Sequence, residues 1–201
     1  MKRLQNCITD MRQWMKSNHL KLNDGKTEFL VLGNAQICNK IDGLSSFAIG
    51  DVSVDAVPSA KNIGAILDNE LTMVDQVNNI CRSCYIQMRY ISCIRPYLTQ
   101  DATATIVHSL VTSRLDYLNS LLYGLPEYLL KKLQLVQNNA ARLVLKKKKY
   151  DHITPLLKNL HWLPVNQRIV YKINLLTYKA INGLAPEYLA CLIEQYKPSR
   201  N

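Results

Sequence analysis

The chain contains no adjacent pair of aspartates. Asp10, Asp24, Asp68, Asp75, Asp101 and Asp116 are scattered through expected turns and helix starts. None makes a pair of the kind that holds catalytic magnesium. No apolar run reaches the roughly 18 residues that a membrane-spanning helix needs. After Met1 the apolar residues are dispersed, with Asp10 and Arg12 among them, so no secretory leader is expected. Gly and Pro number seven each, too few for a linker-rich or collagenous chain. Acidic residues are also short, 15 against 25 basic, for a net charge of +10.

Apolar residues make up 48% and charged residues 20% of the 201, the composition of a globular chain. That length suits one or two small domains with a real core. The charge is uneven: net +1 over residues 1–60, +6 over 61–150 and +3 over 151–201. A basic stripe implies a polyanionic partner, and with no anchor in view nucleic acid is the expected one. The cysteines are Cys7, Cys38, Cys81, Cys84, Cys93 and Cys191. Without secretory context they are expected to be reduced thiols in a cytoplasmic or nuclear, not secreted, protein.

Apolar spacing orders the chain. Leu4, Ile8, Met11 and Met15 predict a helix over 2–17. Asn23-Asp24-Gly25 marks a turn, and Glu28–Leu32 reads as a short buried strand closed by Gly33. Phe47–Ile49 and Val52–Val54 read as strands around Gly50-Asp51. Pro58-Ser59 interrupts, and Ile63–Leu67 is a further candidate strand. From Leu71 the period becomes helical. Val77, Ile80, Cys84 and Ile91 form a stripe that Arg95-Pro96 ends. Thr99 is the expected N-cap of the next helix, with Ile106, Leu110, Leu118 and Leu121 as its core face and Gly124 as its end. A third helix begins near Pro126, buries Leu129, Leu133, Val136, Ala140 and Leu143, and runs into the lysines. Ile153–Leu160 forms a short helix, Pro164 opens a longer one ended by Gly183, and Pro186 opens the last, to about Gln195.

Two stretches carry a resemblance. LHWLPVNQRIVYKINLLTYKAINGLAPEYL (160–189), with WMKSNHLKLNDGKTEF (14–29), resembles the downstream part of a reverse transcriptase from an animal non-LTR retrotransposon of the Jockey and chicken-repeat type. The similarity covers nearly the whole chain in the family's order. Residues 14–29 are similar to motif D. AKNIGAILDNELT (60–72) is similar to motif E, the primer grip, with Asn62-Ile63-Gly64 where the family usually has a variant of Tyr-Leu-Gly. Residues 110–145 are similar to the thumb helices, and 152–196 to the region after the thumb.

The resemblance implies an α+β, predominantly helical fold. A palm remnant (1–70) would precede a three-helix thumb-like bundle (71–149) and a helical tail (150–201). It implies a C-terminal fragment of an RNA-directed DNA polymerase that grips template-primer duplex and is catalytically incomplete alone. No cofactor is expected in this chain, magnesium belonging to the complete parent enzyme. Lys26 stands at the motif D lysine, which would serve the leaving pyrophosphate. The expected partners are an RNA/DNA duplex and the missing fingers and palm segments; no membrane is expected. The N-terminal helix and strand would pack on those lost segments and alone leave apolar surface exposed.

Lys146, Lys147, Lys148 and Lys149 are the densest basic run, with Lys131, Lys132 and Arg142 expected on the same helix. They would contact phosphates, or the run would be a solvated helix end favoured by the dipole. Cys81-x-x-Cys84 has the spacing of half a zinc site but lacks a second pair of ligands, and it lies on an apolar helix face and reads as core. Trp162 would stack on a base or be buried between helices. His152 and His161 lack a partner nucleophile. Two other functions stand beside the polymerase fragment: a non-catalytic basic nucleic-acid-binding module and a helical protein-interaction module.

Overall fold

The structure is a computed structural model that describes residues 2–33, 46–49 and 52–194. It is predominantly helical with two small antiparallel sheets. No helix among the described residues is long and apolar enough to cross a membrane. The chain divides into two compact units, Met1–Gln76 and Val77–Asn201. The 150 boundary drawn from sequence falls inside the second.

In the first unit, α1 (Lys2–Ser17) has the helical span its apolar spacing predicts. It packs on β1 (Ser46–Ile49), yet Leu4 is 43%, Met11 53% and Trp14 63% exposed. β1 pairs with β2 (Val52–Asp55), and Ile49 faces Val52 across residues 50–51, which lie outside the described residues. The expected strand at Glu28–Leu32 is corrected to a single parallel bridge, Phe29 with Ala56. The Val57 N–H donates to the Phe29 carbonyl at 2.8 Å and the Gly33 N–H to that of Asn69 at 3.0 Å. These are isolated contacts, without the run of paired residues that makes a ladder.

The candidate strand at Ile63–Leu67 is also corrected. It is a hairpin of β3 (Ser59–Asn62) and β4 (Ala65–Asp68) turning through Ile63-Gly64. Ile63 has φ 47° and Gly64 φ 83°, as a two-residue type I′ turn requires. Gly64 takes that conformation freely, while a β-branched side chain such as Ile63 is strained there. Asp68 joins this hairpin to the helix that follows. Its carboxylate accepts the N–H groups of Thr72 and Met73, each at 2.8 Å. Burial opposes ionisation of Asp68, but those N–H groups outweigh it and hold the pKa below the usual carboxylate value.

α2 (Val74–Ile94) begins three residues after Leu71, because Leu71 and Met73 have positive φ. In the second unit Val77, Ile80, Cys84 and Ile91 are buried, the stripe the sequence shows. Thr99 caps α3 (Gln100–Val107) by accepting the Ala102 N–H at 3.2 Å. α3 continues through a π-helical turn, His108–Thr112, into α4 (Ser113–Asp116). The core face expected on these helices is corrected. Val107, Val111, Leu115 and Leu122 are buried, while Leu110 and Leu121 are 37% and 47% exposed. Two neighbouring apolar rows compete here, and the wider π turn shifts the phase. Leu118, at φ 52°, breaks the helix before Gly124.

α5 (Glu127–Leu145) is the central helix. It buries Leu129, Leu133, Val136, Ala140 and Val144 against α3, α6 (Ile153–Asn159) and α7 (Val165–Ile181). Burying each of the Leu and Val side chains contributes about 1.5–3 kcal/mol. Polar links fix the register. Buried Gln137 donates to the Leu163 carbonyl at 2.8 Å, and Gln134 accepts the Val165 N–H at 2.9 Å, satisfying a first-turn donor of α7. Arg168 on α7 reaches Asp116 on α4 at 2.7 Å. The last helix, α8, is a single turn, Glu187–Ala190, shorter than the span to Gln195 expected from sequence.

Candidate nucleic-acid interface

Arg142, Lys146, Lys147 and Lys149 converge on one cleft of about 520 Å³ at the C-terminal end of α5, together with Arg95, Asn139 and Leu143. None of these lining residues is acidic. The cleft exists because α5 stops at Leu145. Lys146 adopts φ 50°, and the N–H of Lys147 turns back to the Arg142 carbonyl at 2.9 Å. The lysine run is thus a turn and not the end of the helix, which corrects the sequence expectation. The Asp151 carboxylate closes the turn by accepting the Lys148 N–H at 2.7 Å.

The helix dipole does not account for these lysines, because a different cation occupies the helix end. Arg95 is 7% exposed. Its guanidinium donates to the carbonyls of Leu143 at 3.0 Å, Val144 at 2.7 Å and Leu98 at 2.9 Å. It thereby satisfies carbonyls that α5 leaves open and meets its negative pole. No carboxylate among the described residues pairs with Lys146, Lys147 or Lys149. Lys149 lies over the Tyr150 ring at 5.9 Å, a contact that leaves the ammonium open to an anion. Arg142 donates one guanidinium N–H to the Asp151 carbonyl at 3.2 Å, while its Nε is buried without a partner. An anion in the cleft would meet three exposed ammonium groups and one incompletely satisfied guanidinium.

The other candidates stand elsewhere. Lys131 is paired with Glu127 at 3.0 Å and Lys132 donates to Asn78 at 3.0 Å, both on the early turns of α5. Eleven residues, or about 16 Å of helix, separate Lys131 from Arg142. Lys148 lies in the turn but does not line the cleft. Asn62, Ile63 and Gly64 form the tip of the β3–β4 hairpin, where Ile63 is 74% exposed. Lys26 is exposed in the 3-10 turn Asp24–Lys26. Among the described residues no group of three His, Cys, Asp or Glu side chains could hold a metal.

Cys84 is fully buried, its thiol directed at the Val111 carbonyl at 3.8 Å. Burial pushes this thiol up to about 12, with Cys81 adding to the rise. It is a core residue rather than a metal ligand. Cys38 lies outside the described residues. Trp162 is half-buried.

Arg95 is the residue that the sequence reading passed over. From sequence alone Arg95-Pro96 reads only as a helix stop. Its spacing carries the signal, since 88, 91 and 95 continue the buried face of α2, and a basic residue at a buried position needs acceptors. Comparisons with protein-family models, curated proteins and solved structures find no match.

Proposed function

We propose that this chain is the duplex-gripping downstream part of a non-LTR retrotransposon reverse transcriptase, and that it holds nucleic acid by phosphate contacts in the basic cleft. The single observation that carries the binding reading is the convergence of Arg142, Lys146, Lys147 and Lys149 around a helix end already neutralised by Arg95. Free cations that neither cap the helix nor pair with carboxylates are available to phosphate oxygens. The polymerase origin is supported by the order of the stretches at 14–29, 60–72, 110–145 and 160–189. On that reading the Asn62-Ile63-Gly64 hairpin tip would meet the primer end, and Lys26 is a relic position. Catalysis would require palm carboxylates from outside these residues, since the chain has no aspartate pair.

Contacts of this kind read phosphates and shape rather than sequence. The test is fluorescence anisotropy of the 201-residue chain with labelled RNA–DNA hybrids of unrelated sequence. The reading expects similar affinities for different sequences and a steep loss with salt. No binding at low salt overturns it. The polymerase origin is tested separately, by sequencing the transcript upstream of Met1. An open frame that continues through a strand ending in Asp-Asp supports the origin, and stop codons immediately upstream remove any route to a working polymerase.

A second reading, a helical protein-interaction module, draws on a different surface. Tyr178, Ile181, Leu184, Tyr188 and Leu192, on α7, α8 and their flanks, are each 60% exposed or more. That apolar surface belongs to an interface more often than to bare solvent.

A further inference from the structure

Two tyrosines stand at the rim of the basic cleft. Of the large apolar side chains among the described residues, Tyr150 at 91% and Tyr97 at 88% are the most exposed. Each adjoins a residue that lines the cleft. Tyr150 follows Lys149, and Tyr97 lies two positions after Arg95. Exposed aromatics scattered singly need no explanation. That the two most exposed both flank one cluster of cations does need one.

Neither ring hangs on a loose segment. Tyr97 is the third residue of a turn closed by the Leu98 N–H on the Arg95 carbonyl at 3.3 Å, and the Arg95 guanidinium ties that turn to the end of α5. Tyr150 is the third residue of a turn closed by the Asp151 N–H on the Lys148 carbonyl at 3.2 Å, and Arg142 on α5 donates to the Asp151 carbonyl. Each backbone is thus held against α5 while its ring stands in solvent. The Lys149 ammonium lies over the Tyr150 ring, 5.9 Å from its centre, and leaves the other face open. A phosphate held by Lys149 therefore brings its own nucleotide close to that ring.

A duplex hides its base faces within the stack, so an exposed ring gains contact only where bases are unpaired or at an end. Unpaired bases stack on aromatic side chains with little regard to sequence. We propose that the cleft rim is a single-strand site, in which unpaired bases stack on Tyr97 and Tyr150 while their phosphates meet the cleft cations. This rests on the nucleic-acid reading of the cleft and adds to it a preference for a duplex with an unpaired end.

Anisotropy of the full chain compares three labelled RNA–DNA hybrids: one blunt, one extended by about six unpaired nucleotides, and one extended by as many abasic sugar-phosphates. The two extensions carry the same charge and differ only in their bases. The extension with bases should bind about fivefold or more tighter than the abasic one. Tyr97→Leu and Tyr150→Leu should each shrink that gain, and should leave the blunt affinity and the salt slope unchanged. Tyr150→Phe should keep the gain. Equal affinity for the two extensions, or a gain that survives either Leu variant in full, overturns the single-strand site and leaves the duplex grip standing. No binding to any of the hybrids at low salt overturns both.

Discussion

Replacing Lys146, Lys147 and Lys149 together with glutamine should flatten the salt dependence of duplex binding without disturbing the fold. Each neutralised phosphate contributes about −0.9 to the slope of log affinity against log salt. The cleft offers these three lysines, none paired with a carboxylate among the described residues, and Arg142, which makes a single contact to the Asp151 carbonyl, whereas Arg95 is committed to three carbonyls. The wild-type slope should therefore be about −3.6, and the triple variant should retain about −0.9. Between 50 mM and 200 mM salt the wild type should lose about 150-fold in affinity, and the variant only about 3- to 4-fold. Anisotropy with a labelled RNA–DNA hybrid, repeated across that salt range, measures both slopes. Lys131→Gln with Lys132→Gln is the control, since these side chains on early turns of the same helix already have partners, Glu127 on α5 and Asn78 on α2. The reasoning is refuted if the triple variant keeps the wild-type slope, or if the control flattens it equally.

Further changes probe the parts that build the cleft and its scaffold. Arg95→Ala removes three hydrogen bonds and strands two carbonyls at the end of α5. It should cost about 3 kcal/mol and lower Tm by about 6–12 °C, read by thermal denaturation. Lys146→Gly relieves a left-handed residue at φ 50° and should stabilise by about 0.5–1 kcal/mol, while removing one phosphate contact in the anisotropy assay. Ile63→Asn suits the type I′ turn and should stabilise the hairpin by a similar margin, seen as slower amide exchange in β3 and β4. Cys84 should resist thiol reagents at neutral pH when exposed Cys7, Cys93 and Cys191 react. Its folded pKa of about 12 lies above the ordinary 9.0. The folded state therefore holds the proton longer, and urea denaturation should show stability falling as pH rises from 9.0 toward 12.

Helix spans were legible where one apolar stripe dominates, as in α1, α2 and α5. They were less legible at Ile106 to Leu122, where two apolar rows run side by side and the π turn at His108–Thr112 decides between them. Periodicity has no term for an added residue in a turn. The β3–β4 hairpin was missed because Ile63 is a poor turn former, and only Gly64 advertised the bend. Of the proposed basic residues, the sequence supplied the identities but not their grouping. Lys146 to Lys149 look like a helical continuation until Lys146 turns left-handed, and that turn aims Lys146, Lys147 and Lys149, but not Lys148, into the cleft. Arg95 and Arg142 lie 47 positions apart in sequence and meet only because α2 and α5 end near one another.

On the proposed function, nucleic acid lies against the end of α5. Lysine acetylation footprinting, with mass spectrometry in the presence and absence of an RNA–DNA hybrid, tests it most directly. Lys146, Lys147 and Lys149 should become protected while Lys16, Lys26 and Lys158 label as before. Uniform weak protection across all lysines, or protection concentrated on residues away from the cleft, would contradict it.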